Sequence, residues 1–252
     1  MTSRRLQGIA GAAIVFLLIP RPVHAQPDLQ LWTAFKFQWN KSHRMTLGVE
    51  AEPKALVWAP AGEPQWATLD VTPSVDYKWG PWLDAVGELM VGRTRQTDHL
   101  NSSELTPRVG FRFHLLSNLR NQVSRERLPK RRLVLRNFLR LEYRNLYYST
   151  DEPESHTLRL RNRLETLWPI NRHKITDDGV TYLSADWEWF MPVDDPAERY
   201  ASRQRTRTGV GYRRSAAWSF AALFVWNRSR NTVDEPFTTS DYAIDLAMKR
   251  VW

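Results

Sequence analysis

The stretch SHTLRLRNRLETLW, Ser155–Trp168, sets Arg159, Arg161 and Arg163 on one parity and Leu158, Leu160, Leu164 and Trp168 on the other. In a β-strand successive side chains point to opposite faces, so this pattern makes one charged face and one apolar face. Two environments satisfy it. The arginines can meet bulk water over a soluble core. Alternatively, the leucines can face lipid while the arginines face an enclosed, wet space. The rest of the chain decides between them.

The alternation extends along the chain. From Met45 the apolar set is Met45, Leu47, Val49, Ala51, Pro53, Ala55 and Val57, against Thr46, Gly48, Glu50, Glu52 and Lys54. From Ala67 it is Ala67, Leu69, Val71, Pro73, Val75, Tyr77 and Trp79, against Thr68, Asp70, Thr72, Ser74, Asp76 and Lys78. Leu105–Leu115 repeats it with Arg108, Arg112 and His114 on the polar side. Shorter cases are Leu31–Trp39, Leu83–Val91, Leu133–Tyr147, Thr181–Met191, Ser202–Tyr212, Trp218–Trp226 and Tyr242–Trp252. Counting Ser155–Trp168, there are eleven such segments, most long enough to cross a bilayer as tilted strands. Turn residues separate them at Asn40-Lys41-Ser42-His43, Trp79-Gly80-Pro81, Ser149–Pro153 and Val193–Pro196.

The ends and composition favour lipid. Arg4 and Arg5, an apolar run from Ala10 to Ile19, and Val23-His24-Ala25 read as a signal peptide over 1–25, leaving a single domain over 26–252. Its three arginines, Arg4, Arg5 and Arg21, would take the net charge from +9 to +6. The absence of cysteine removes disulfides, thiolate metal sites and cysteine nucleophiles. A mean hydropathy of -0.52 is no objection, because period-two alternation averages away. Trp39, Trp79, Trp168, Trp189, Trp218 and Trp226 lie on the apolar parity near segment ends, where interfacial aromatics belong. Trp252 ends the last segment on that parity, like the C-terminal assembly signal of outer-membrane barrels, although Arg250 departs from that pattern.

The expectation is an all-β fold: an antiparallel transmembrane β-barrel of 10–12 strands in the bacterial outer membrane. Single-chain bacterial barrels usually have even counts, so twelve is preferred. The basic stretch Arg120–Arg132 is unplaced, and a strand hidden within Leu116–Arg132 would supply the twelfth. Outer-membrane lipid and, through the last strand, the barrel-assembly machinery are the expected partners. Nucleic acid is not, despite the basicity, because an exported chain does not meet it and no binding motif is present.

The chain resembles the "domain of unknown function 2490" family of outer-membrane β-barrel proteins. The resemblance rests on Leu31-Trp32, RNFLRLEYR (Arg136–Arg144), RLRNRLE (Arg159–Glu165), Glu188-Trp189-Phe190 and RTRTGVGYR (Arg205–Arg213). It implies a fold and a location, and no reaction or catalytic residue.

With leucines outward, the lumen receives the charges. A lipid-facing charge near the midplane would cost about 2–4 kcal/mol. The basic wall is Arg108, Arg112, Arg136, Arg140, Arg144, Arg159, Arg161, Arg163, Arg203, Arg205 and Arg207. The acids are Glu50, Glu52, Asp70, Asp76, Asp84, Glu88, Glu142, Glu165, Asp186 and Glu188, with Glu104 among the arginines. Symmetric turns at Asp151-Glu152 and Asp195-Pro196 would place Arg144 opposite Arg159, Glu142 opposite Arg161, Arg140 opposite Arg163, Glu188 opposite Arg203 and Asp186 opposite Arg205.

Three functions are compatible with such a lumen. A small porin-like channel would draw anionic or acidic solutes past the arginines. A closed structural barrel would use the same charges as an internal salt-bridge network. A lipase or lipid A-modifying enzyme would need a histidine beside a nucleophile and an orienting group. His43, His99, His114, His156 and His173 show no such spacing. No catalytic residue, cofactor or metal is therefore assigned, and Asp177-Asp178-Gly179 reads as a turn.

Overall fold

A computed structural model describes residues 27–98, 100–116, 133–150, 153–193, 203–230 and 236–252. The expected leader, His99, the basic stretch Arg120–Arg132 with the strand expected around it, and the turn residues Asp151, Glu152, Asp194, Asp195 and Pro196 lie outside the described residues.

The eleven alternating segments form eleven strands: β1 (Asp28–Asn40), β2 (Met45–Trp58), β3 (Trp66–Lys78), β4 (Leu83–Gln96), β5 (Ser102–Leu116), β6 (Val134–Tyr148), β7 (Ser155–Pro169), β8 (Val180–Pro192), β9 (Arg203–Arg213), β10 (Trp218–Ser229) and β11 (Thr238–Val251). Each pairs with its sequence neighbours, and together they close into one barrel. Among the described residues there is no helix.

Among the described residues the count is eleven, where twelve was preferred. With an odd number of up-and-down strands, the first and last run the same way, so the seam must be parallel. β1 and β11 pair in parallel from Asp28↔Asp241 to Gln38↔Val251; every other ladder is antiparallel. The seam is extended at one end, where the Asn40 N–H donates to the Trp252 carbonyl (3.1 Å) and the Trp252 N–H to the Gln38 carbonyl (2.9 Å). Trp39 and Trp252 stack over it, with ring centroids 5.2 Å apart and planes 6° from parallel. This end, which also carries the connections 41–44, 79–82, 170–179 and 214–217, is the C-terminal mouth. The start of β1 and the connection 59–65 lie at the N-terminal mouth.

Burial follows the parity of the sequence. Leu31, Leu69, Val91, Val109, Leu141, Leu164, Leu183 and Ile244 are exposed on the outer surface, while polar and charged side chains fill the interior. Trp39, Trp79, Trp168 and Trp252 are exposed toward the C-terminal mouth, and Trp189 and Trp226 toward the other. Trp218 is half-buried beneath the Arg250 guanidinium, 4.8 Å from its ring.

Two hairpin registers differ from expectation, each by two residues. Arg140 lies opposite Arg161, Glu142 opposite Arg159 and Arg144 opposite Thr157. Across β8 and β9, Asp186 lies opposite Arg207 and Glu188 opposite Arg205. The β6–β7 ladder is centred between Thr150 and Asp151, one residue before the assumed turn centre. The β8–β9 ladder is centred one residue later than assumed. A slip of two keeps every side chain on its face, since only odd slips invert a strand.

At the C-terminal mouth the connection 170–179 folds inward, and Ile175 packs on Val134, Leu167 and Tyr182. The Tyr182 ring lies over Gly211, where any Cβ would strike it.

Candidate functional site: the charged lumen

The structure brings the eleven arginines of β5, β6, β7 and β9 into the interior, where they line two neighbouring spaces. Their first effect is to cover acids. Glu142 is completely buried. It accepts from Arg159 Nε (2.9 Å) and Nη2 (2.5 Å) and from Arg161 Nη1 (2.8 Å). Arg140 Nε lies 2.8 Å and Arg108 Nε 3.5 Å from the same carboxylate. Four guanidiniums around one buried carboxylate leave a local positive surplus.

Arg161 extends the network across β7. Its Nη2 donates to Glu188 on β8 at 2.7 Å, and Arg205 on β9 approaches Glu188 at 3.6 Å. Arg207 donates through Nε to both oxygens of Asp186 at 3.0 Å. On the other side, Arg140 reaches Glu88 (2.8 Å) and Arg144 grips Glu104 with two bonds (3.0 and 3.2 Å). Arg112 lies 3.4 Å from Asp76 and 3.7 Å from Asp84, and Arg136 2.5 Å from Glu165. Arg203 lies 3.9 Å from Asp241. Bidentate and shared guanidinium contacts of this kind fix geometry as well as charge.

The opposite wall carries the acids of β2 and β3, partly neutralised by lysines. Lys36 donates to Glu50 at 2.9 Å, and Lys54 lies 2.8 Å from Asp70 and 2.9 Å from Glu52. Sequence reading had not placed Lys36 in the lumen.

It also missed the aromatic rings inside. Phe190 lies under three guanidiniums, with Arg161 at 4.3 Å, Arg159 at 5.0 Å and Arg205 at 5.2 Å from its centroid. Phe138 meets Arg112, Arg140 and Arg163 at 5.2, 5.4 and 5.6 Å. Trp32 packs with Val225 and Ala243 and sits under Arg205 at 4.7 Å. Such stacking holds guanidiniums without spending a carboxylate on each. Asp241, Asp245 and Asn227 are further buried polar residues absent from the sequence reading. The available signal was parity for most of them. Phe138, Phe190 and Trp32 share the parity of the inward charges on their strands, and Asp241 and Asp245 that of Lys249, whereas Asn227 precedes a register shift at Arg228 and carried no such signal.

Among the arginines lies a central cavity of about 300 Å3. Twelve cationic side chains and five carboxylates line it. Glu142, Asp186 and Glu188 are not in that lining but lie directly behind it, bonded to Arg159, Arg161 and Arg207, so they offset part of the cationic excess at the cavity wall. A vestibule of about 630 Å3 adjoins it at the C-terminal mouth, and Lys36, Arg112 and Arg163 border both.

The histidines lie apart. His114 Nε2 is 2.7 Å from Asp84 inside the barrel, and His156 is exposed, bonded to Asn145 at 2.9 Å and stacked on Tyr143. His43 and His173 are exposed in connections. Among the described residues no group of three His, Cys, Asp or Glu could hold a metal ion.

The chain is therefore a closed β-barrel with a buried salt-bridge network and a cation-rich internal space. No protein-family model and no curated protein matches it.

Proposed function

We propose that this barrel resides in the bacterial outer membrane and passes small anionic or acidic solutes through its lumen. The location is supported by the apolar outer face, the aromatics near both mouths and the expected leader, and it agrees with the resemblance to the domain of unknown function 2490 family. Strands of 11–15 residues also have the necessary reach. At about 3.3 Å per residue, and tilted by roughly 40°, they cover a hydrocarbon core of about 30 Å. In this reading the barrel contacts outer-membrane lipid, is inserted by the assembly machinery through β11 and Trp252, and carries out transport rather than catalysis.

The observation that carries the transport reading is the lining of the central cavity: twelve cations against five carboxylates. Low-dielectric walls focus that surplus, and arginine-lined constrictions favour anions. Purified protein in planar bilayers should give stepwise conductance, with a reversal potential in a salt gradient that reports anion preference. Replacing Arg161 and Arg205 with glutamine should reduce the preference. A silent barrel would sink the proposal.

A closed structural barrel is the second reading. Its supporting observation is the cross-linking of β6, β7 and β8 through Glu142, Arg161 and Glu188. The same recording separates the two.

A further inference from the structure

Most interior cations are held by a carboxylate, but among the described residues four cations of the C-terminal vestibule are not: the exposed Lys78 at its rim and three deeper ones. Arg163 on β7, Arg213 on β9 and Lys249 on β11 line the vestibule, and none has an acid within ion-pair distance among the described residues. The Nε atoms of Arg163 and Arg213 are buried without a hydrogen-bond partner. Lys249 lies directly across the parallel seam from Lys36, a like charge whose own partner is Glu50. Uncompensated charge in an enclosed space is costly, and like charges directly opposite on a sheet repel. These features share one vestibule of about 630 Å3, whose three carboxylates, Asp76, Asp84 and Glu165, are engaged by Arg112, His114 and Arg136.

We infer that the vestibule is a binding site for a compact, multiply charged oxyanion, held by Arg163, Arg213 and Lys249. Guanidinium forks match the planar oxygen pairs of phosphate and carboxylate groups, and a lysine supplies a point charge to a further oxygen. A polyvalent anion would supply the negative charge that these three cations lack within the barrel. The vestibule volume lies within the range of small-molecule sites. If the transport reading holds, this site is where the solute is captured before the central cavity, and it narrows the solute class from anions to polyanions. Capture itself does not require an open pore.

The test is calorimetric titration of the full chain in detergent with pyrophosphate and, separately, citrate, at fixed ionic strength. Saturable binding of either is expected, and the two arms tell a phosphate site from a carboxylate site. Arg163→Gln, Arg213→Gln and Lys249→Gln should each weaken it at least tenfold, while Lys249→Arg retains it. Lys41→Gln, in the exposed connection at the same mouth, should leave it unchanged. None of the three glutamine variants orphans a carboxylate, and a retained strand signal in circular dichroism checks their folding. No saturable binding of either anion, or binding indifferent to all three glutamine variants, overturns the inference. Conductance on the same preparations keeps the two ideas apart. An anion-selective pore that binds neither polyanion defeats only the site, and a silent barrel that binds one in the expected manner defeats only the channel.

Discussion

Glu142 of β6 is bonded at 2.8 Å by Arg161 of β7, although the residue directly opposite it in the ladder is Arg159. Arg159 takes the other oxygen, and Arg161 continues diagonally to Glu188 of β8. One buried carboxylate thus organises guanidiniums from three strands.

Removing that carboxylate should be expensive. Glu142→Gln leaves Arg159, Arg161, Arg140 and Arg108 crowded around a neutral group. Breaking a buried pair from one side costs about 3–5 kcal/mol. The Lys36–Glu50 pair is about one-third exposed (34% and 33%), and Glu50→Gln uncovers one lysine rather than four guanidiniums, so it should cost less. Denaturant unfolding of the refolded protein in lipid vesicles should therefore rank Glu142→Gln well below Glu50→Gln. Equal stabilities would show that Glu142 is not the organising charge.

The rings beneath the arginines give a second prediction. Phe190 supports Arg159, Arg161 and Arg205 within 5.2 Å. Phe190→Ala removes a side chain that is only 3% exposed, a class of change that costs about 3–5 kcal/mol. It also frees three guanidiniums to move. If the lumen conducts, unit conductance should rise and anion preference should broaden. Phe190→Leu, which keeps most of the bulk but loses the ring face, should retain the conductance of the parent while losing part of the stability.

Much of this was legible in the sequence, and the missing parts have a physical reason. Period-two alternation located all eleven strands and separated the Arg159 face from the Leu158 face, because a strand offers only two directions. It could not fix register, since the pairings of Glu142 and Glu188 shift by two residues without changing any face. It also grouped side chains by polarity instead of strict parity. Phe138, Phe190 and Trp32 were overlooked for that reason, though each shares its parity with neighbouring inward charges. The parallel seam that pairs Lys36 with Lys249 is a consequence of the odd count, which the preference for even barrels had argued away.

The seam supports a third prediction. Trp252 stacks on Trp39, and its backbone is bonded to both Gln38 and Asn40. Aromatic pairs contribute about 0.5–1.5 kcal/mol beyond their buried area. Trp252→Ala should lower the unfolding midpoint of the purified barrel and slow its refolding into vesicles. Trp252→Phe should restore most of both. A variant that refolds at the parent rate would remove the aromatic clasp from the account of how the seam closes.

The outer face allows a direct test of the membrane reading, because depth has a distinct signature. Leu141 lies at the middle of β6 and is exposed on the apolar surface. Ala67 lies on the same outward surface near the N-terminal mouth, directly opposite Arg95 of β4. An arginine at the bilayer midplane costs about 2–4 kcal/mol and one near the interface about 0–1 kcal/mol. Leu141→Arg should therefore destabilise the vesicle-embedded barrel strongly, whereas Ala67→Arg should be nearly silent apart from repulsion by Arg95. In a barrel surrounded by water, neither substitution creates a buried charge and the two should differ little. Paired unfolding measurements on these variants thus read the environment of the outer face without depending on whether the lumen conducts.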